Sequence, residues 1–346
     1  MKRRVAGPRS LPVAEWPIAD RIAWERALTP AKRLSRGGAA SHLGKASTDD
    51  IERRYGAYLG FLRRHGLFNS HSAAAQLVTE QNVKSYLVEL QGRVLSTTVY
   101  NCIHKLRRAA NLLSPNDNFF WLVEIERDIR LTMEPRSKFG RVVATRRLVE
   151  AGLQMMEKAR RSPRSVEQAR NYRNGLMLAL LAFCPIRLKN FAQLEIGKTF
   201  QCIEGSWWII LCADQTKSRR TDERRVADLL TPFITEFLEV FRPTLLAGHQ
   251  ETALWISSRT KRRMTIKNLG ALVSKITKSE IGVDVSPHLF RTAAASTATA
   301  EMSALPGLAA GLLGHVDRAI TEMHYNRAKT CDAAISYAEL LGRIVE

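Results

Sequence analysis

Gly175-Leu176-Met177-Leu178-Ala179-Leu180-Leu181-Ala182-Phe183 is a run without a polar side chain, closed by Cys184-Pro185-Ile186 and followed at once by Arg187. Such a run reads as a helix buried on all sides, and Pro185 stops it because proline removes an amide donor and clashes with the preceding turn. Arg187 then opens a second, amphipathic stretch, Leu188–Leu194. A guanidinium at a turn between two core elements is costly to desolvate unless an anion meets it, although a surface salt bridge would serve as well for an arginine taken alone.

Working outward, Leu148, Val149, Leu153 and Met156 repeat at helical spacing within Thr145–Ala159. Trp207–Cys212 is rich in β-formers, Asp214-Gln215-Thr216-Lys217-Ser218 reads as a turn, and Arg224–Leu229 reads as a returning strand, giving a hairpin with Lys217 near its tip. Helical patterns resume at Thr231–Phe241, Ile266–Ile276, Leu289–Ala300, Leu305–Leu313 and Cys331–Val345. The expected fold class of residues 142–346 is therefore mainly α with a small β-sheet or hairpin. Its last helix, 332–346, carries an apolar stripe of Ala334, Ile335, Ala338, Leu341 and Val345.

Upstream, Leu131–Arg141 combines Pro135, Ser137 and Gly140 with basic residues and reads as a linker. Residues 46–130 form a helical domain: Ile51, Tyr55, Tyr58, Leu59 and Leu62 follow the capping cluster Ser47-Thr48-Asp49-Asp50, a second helix starts near Thr79, and a third starts near Ser96 and ends by Pro115. Its helices carry Arg63, Arg64, Lys84, Lys105, Arg107 and Arg108, the candidate DNA-backbone contacts; a solvated basic face is the plain alternative. Residues 1–45 keep no sustained period and read as a basic, partly ordered arm, with Trp16, Ile22 and Trp24 able to anchor a short helix.

The chain has 346 residues, 45% hydrophobic and 25% charged, with a formal charge of +20, so it is expected to bury real cores and to attract polyanions. Double-stranded DNA is the first partner to consider. No apolar run is long enough to span a bilayer, and Met1-Lys2-Arg3-Arg4 is not followed by a signal-peptide core, which points to the cytoplasm and away from a membrane. The five cysteines, Cys102, Cys184, Cys202, Cys212 and Cys331, are scattered without metal-ligand spacing and read as reduced, mostly packed thiols. Neither a metal site nor a cofactor is expected.

His288-Leu289-Phe290-Arg291 places an imidazole and a guanidinium three residues apart, on one helix face after Pro287. Gly314-His315 puts another imidazole at a helix end, and Tyr325 follows within Met323-His324-Tyr325-Asn326-Arg327. Each signal is weak singly. In the order Arg187, Lys217, His288-x-x-Arg291, His315, Tyr325, the set resembles that of the tyrosine recombinase or phage integrase family, over residues 140–346, and the helical region 46–130 is similar to that family's core-binding domain.

The resemblance implies a DNA breaking-rejoining catalytic domain in which Tyr325 is the nucleophile, Arg187 and Arg291 hold the scissile phosphate, Lys217 is the general acid, His288 assists proton transfer, and His315 donates to a non-bridging oxygen. Phosphodiester chemistry fits these residue types. Two fixed guanidiniums neutralise developing charge without a metal, and a phenol of ordinary pKa about 10 needs neighbouring cations or a base to attack. Two features depart from the family's usual pattern, and one rival nucleophile is set aside. Tyr325 lies one residue farther from His315 than is common, which puts His324 at the usual nucleophile position; Tyr337 lies far into the final helix; and Asn190 stands where an acidic residue is usual. Lys198, Arg219 and Arg220 neighbour the lysine position, and Lys217 fits the turn best.

The same resemblance implies a site-specific DNA recombinase, integrase- or transposase-like, clamping a duplex between its two domains and self-associating into a tetramer on DNA, alone or with related recombinases. The helix 332–346 would dock either on its own chain or on a neighbouring protomer. Type IB topoisomerase-like relaxation and a non-catalytic architectural DNA-binding role are the alternatives; site-independent relaxation of supercoils marks the first, and absence of a covalent product marks the second.

Overall fold

The computed structural model describes residues 10–34, 36–134, 139–216 and 219–301. Lys217, His315, Tyr325 and the helix expected at 332–346 lie outside them. The chain divides into two compact units, residues 1–136 and 137–346.

The first unit is helical: α1 (Ile18–Leu28), α2 (Lys45–Arg64), α3 (Glu80–Gln91), α4 (Ser96–Leu113) and α5 (Phe120–Thr132). Thr79 caps α3 by accepting from the Asn82 amide, as a threonine before a helical period should. The capping cluster expected at 47–50 instead lies inside the first turns of α2, where Lys45 pairs with Asp49 at 2.9 Å. Residues 10–34 are more than an arm. Trp16 and Trp24 are buried, Trp16 meets Tyr55 edge-on at 4.8 Å, and Asp20 accepts from Tyr55 Oη (2.6 Å) and the Ala75 amide (2.8 Å). Burial raises the Asp20 carboxyl above its ordinary value, while the two donors oppose the shift. Gly56 on α2 lets this strap approach: the Leu11 amide donates to Gly56 O at 2.9 Å, and a Cβ on Gly56 would lie 2.2 Å from Leu11 O.

The second unit is built on α6 (Thr145–Arg160) and α7 (Val166–Phe183), with α7 buried along most of its length and ending before Pro185. Their backbones touch. A Cβ on Gly152 would lie 2.7 Å from Gly175 O, and one on Gly175 would lie 2.6 Å from Gly152 O. Gly152→Ala is therefore expected to destabilise the protein by about 1–3 kcal/mol through overpacking, read as a lower denaturation midpoint; an unchanged midpoint would contradict the close approach.

After α7 come α8 (Leu188–Ala192), then β1 (Phe200–Ile203), β2 (Ser206–Leu211) and β3 (Asp222–Arg225) in one antiparallel sheet of order β1-β2-β3. The expected hairpin is thus the outer part of a three-stranded sheet, and β3 is shorter than Arg224–Leu229 because the chain enters a helical turn at Asp228. Strand β1 went unseen in the sequence, although Glu204-Gly205 after it carries two positive φ angles (50° and 77°), the conformation of a tight two-residue hairpin. The remaining elements are α9 (Thr231–Glu236), α10 (Arg242–Leu246), α11 (Ile266–Ile281) and α12 (Pro287–Glu301). Five π-helical residues, Phe237–Phe241, join α9 to α10, and Phe241 stacks on Tyr172 of α7 at 4.1 Å. The fold is mainly α with one small sheet. Cys102 and Cys184 are buried thiols, whereas Cys202 and Cys212 are exposed because they lie on the rim of the sheet, so the packing expected of the cysteines holds for half of the described ones.

Candidate active site and DNA interface

Arg187 caps the N-terminus of α8 in an extended conformation (φ −66°, ψ 141°) and is half-buried. Arg291, in the second turn of α12, is only 6% exposed, and its guanidinium donates to Pro185 O in the segment that leads into Arg187. The two arginines are thereby brought into one electrostatic neighbourhood. Desolvation first, then the positive charges of Arg187 and Arg224, push Arg291 down to about 10, against the opposing pull of Asp222. It remains protonated at neutral pH. An anion close to such a cation would relieve that stress.

His288 sits in the first turn of α12 and is exposed, while Arg291 one turn later is buried. Pro287 supplies a preset φ at the helix start, and buried Leu289 and Phe290 fix the helix on the core, which turns Arg291 inward.

Arg224 and Asp222 are the residues that sequence reasoning missed. In the β2–β3 register, Arg224 pairs with Ile209 and Asp222 with Leu211, and both β2 partners are buried. Directly opposed residues share a sheet face, so this arginine and this aspartate occupy the inward positions of β3, while Glu223 and Arg225 face outward. Arg224 Nε donates to Asp222 Oδ1 at 2.7 Å and Nη2 donates to Oδ2 at 2.9 Å, a bidentate fork. Both charges act on Cys184, the residue that ends α7, whose thiol burial pushes up to about 12. The only sequence signal was alternation: Asp222 and Arg224 fall in phase with Ile209 and Leu211 once the register is known.

The turn expected to present the lysine is closed by Thr216. This residue is buried; its hydroxyl donates to Ala213 O and Arg220 O and accepts from the Arg220 amide. Of the rivals to Lys217, Lys198 pairs with Glu195 at 3.2 Å.

In the first unit the candidate DNA contacts separate into two kinds. Arg63 pairs with Glu15 (2.5 Å), Arg64 with Glu89 (2.9 Å), Lys105 with Asp50 (3.5 Å) and Arg107 with the buried Glu126 (2.6 Å). Lys84 is exposed and Arg108 half-buried, and neither forms an ion pair with a described residue. Among the described residues no group of three or more His, Cys, Asp or Glu side chains is arranged to hold a metal, and no helix is long and apolar enough to cross a membrane.

Compared with known proteins, residues 149–331 match the family model described as "Phage integrase family". Among solved structures, the crystal structure of XerA recombinase is similar at 15% sequence identity and a TM-score of 0.39, covering 83% of this chain and 89% of that one. No curated protein sequence matches the chain.

Proposed function

Because the chain belongs to the phage integrase family of tyrosine recombinases, we propose that it is a site-specific recombinase whose strand exchange runs through a 3′-phosphotyrosine at Tyr325. The observation that supports this reading most is the buried, electrostatically stressed Arg291 sharing a neighbourhood with Arg187, because two fixed guanidiniums suit a phosphodiester that gains negative charge as it is attacked.

In this reading the Tyr325 oxygen attacks phosphorus as its proton passes to a base, with His288 serving that transfer. The bond from phosphorus to the 5′ oxygen breaks, and Lys217 protonates that oxygen as it leaves. His315 donates to a non-bridging oxygen beside the two arginines. The phosphotyrosine keeps the bond energy of the diester, so a 5′-hydroxyl from another strand attacks it in the reverse sense and restores both the diester and the phenol. Neither ATP nor a metal enters that balance. Four protomers on two duplexes supply the paired cleavages of an exchange, and the helix 332–346 is the candidate link between them.

Incubating the protein with supercoiled plasmids that carry the flanks of its own gene, in chelator and without nucleotide, tests this reading. Recombinant joints at one defined sequence are the expected product; relaxation alone, at many sites, would favour topoisomerase-like action.

For the first unit we assign backbone contact to Lys84 and Arg108, and a folding role to Arg107. Lys84→Ala and Arg108→Ala should each lower the slope of log affinity against log salt by about 0.9, the counterion yield of one phosphate contact. Arg107→Ala should leave the slope unchanged and instead destabilise the fold by roughly 1–3 kcal/mol, since it leaves the buried Glu126 carboxylate with His104 as its remaining side-chain partner among the described residues. Equal slopes for Lys84→Ala and wild type would remove that residue from the interface.

A further inference from the structure

Five of the six tryptophans serve a core. Trp16, Trp24 and Trp255 are buried, and Trp121 and Trp207 pack against one core or the other. Trp208 packs against neither: it is half-buried, and among the described residues it stacks on no ring and lies under no guanidinium. Burying an indole would stabilise the fold, and a β-branched residue would serve the strand as well, so neither burial nor strand propensity accounts for an aromatic at this position.

Register places the ring. Trp208 alternates with the buried Ile209, and its cross-strand partners are Gln201 on β1 and Arg225 on β3. Directly opposed residues share a sheet face, so the three strands present one row, Gln201–Trp208–Arg225, away from the core. Both flanking side chains are tied down. Gln201 Nε2 donates to Lys198 O, and Arg225 Nη2 donates to Ser206 Oγ at 3.1 Å and to Asp228 at 2.9 Å, which holds the guanidinium beside the indole rather than over it.

The face is small. Three strands about 4.8 Å apart and about four residues long cover roughly 200 Å², far below the about 800 Å² per partner that a stable protein interface buries, whereas a stacked nucleobase needs only one ring. We infer that this face is a single-strand site, in which a base of an unpaired DNA segment stacks on Trp208 while Arg225 meets the adjoining phosphate. The flanking groups suit that ligand. Gln201 keeps its carboxamide oxygen as an acceptor for a base edge, and the Asp228 carboxylate that holds Arg225 is 67% exposed, so that pair is weak in water and gives way to a phosphate. Exposed Arg219 and Arg220 continue toward the turn, and Glu223, opposite Ile210, is the one acid among the outward strand positions, so the face complements a polyanion. The turn that joins β2 to β3 contains Lys217, and Trp208 lies three residues before the end of β2, about 10 Å along the strand. The role of the site rests on the recombinase reading, in which a 5′-hydroxyl strand leaves its complement to attack on another duplex: the sheet holds that strand while it is unpaired. Stacking is tolerant of sequence, so the site adds affinity for the unpaired state and leaves recognition of the target to other contacts.

The test titrates the full chain with a short dye-labelled oligothymidylate and, separately, with a blunt duplex. W208A should bind the oligothymidylate about tenfold more weakly than wild type, keep duplex affinity within about twofold, and melt like wild type because the ring lies outside both cores. W208F, which keeps a ring, should recover most of the affinity, and R225Q should lower the slope of log affinity against log salt for the single strand by about 0.7, one phosphate contact. The oligothymidylate should also quench part of the wild-type tryptophan emission, and that quenching should vanish in W208F, because the other five indoles belong to the cores; this comparison decides the matter even if W208A fails to fold. Single-strand affinity in W208A within about twofold of wild type would overturn the site, as would an equal loss on single strand and duplex. A W208A that sediments as a smaller species with unchanged single-strand affinity would make the face a protein contact and overturn it too. Neither readout needs cleavage: a wild type that forms no covalent product removes the recombinase reading and leaves this site standing, whereas an unaffected W208A removes the site and leaves that reading intact.

Discussion

Arg291→Ala is expected to lower single-turnover strand cleavage by roughly 10²–10³-fold, the scale of losing one preorganised donor at a developing oxyanion. Its side chain is 6% exposed and tied to Pro185 O, so it reaches the site with little freedom to lose on binding. The same desolvation that stresses the cation makes its interaction with an incoming phosphate strong, because little water screens it. Arg291→Lys should recover little of the rate, since an ammonium does not present the planar fork that spans Pro185 O and a phosphate oxygen. Duplex affinity should change far less than rate, because many other basic residues of a chain with formal charge +20 contribute to it. A fall in affinity that accounts for the whole effect would place Arg291 in general DNA binding and outside the chemistry.

Tyr325→Phe is expected to abolish covalent attachment to DNA completely, with duplex binding and melting temperature unchanged. The substitution deletes one oxygen and keeps the ring, so packing is conserved and only the nucleophile is lost. His324 at the adjacent position would form an unstable phosphoramidate rather than a durable phosphotyrosine. A covalent product that persists in Tyr325→Phe and disappears in Tyr337→Phe would move the nucleophile into the last helix and revise the spacing argument.

Periodicity made the helices legible. Ile51, Tyr55, Tyr58, Leu59 and Leu62 mark α2, and the apolar run from Gly175 with Pro185 after it marks both the burial of α7 and its end. Strand β1 escaped because Phe200-Gln201-Cys202-Ile203 is only four residues long, too short for a clean alternation, even though the turn that joins it to β2 is local. Residues 10–34 looked like an arm because their few anchors, Trp16, Asp20 and Trp24, find partners in Tyr55, Glu52 and Ala75, far along the chain.

The candidate site was legible as an ordered set of residue types, and in the structure Arg291 donates to Pro185 O, two residues before Arg187. Arg224 was not legible, because its inward direction depends on register with β2. The pairing of the basic residues of the first unit was not legible for a related reason. Counting Arg64, Lys105 and Arg107 shows charge, but their partners Glu89, Asp50 and Glu126 sit on other helices, so only the folded chain distinguishes paired cations from available ones.

The central claim is a covalent bond between a DNA 3′ phosphate and Tyr325, and trapping that bond tests it most directly. Nicked duplexes tiled across both flanks of the protein's own gene lose the short 5′-hydroxyl strand after cleavage, so an attached enzyme cannot reverse. In chelator, wild type should give a denaturant-stable adduct at one sequence, and proteolysis with mass spectrometry should find the nucleotide on the peptide containing Met323-His324-Tyr325. An adduct on any other peptide, or no adduct on any duplex of the tiling, would contradict the account.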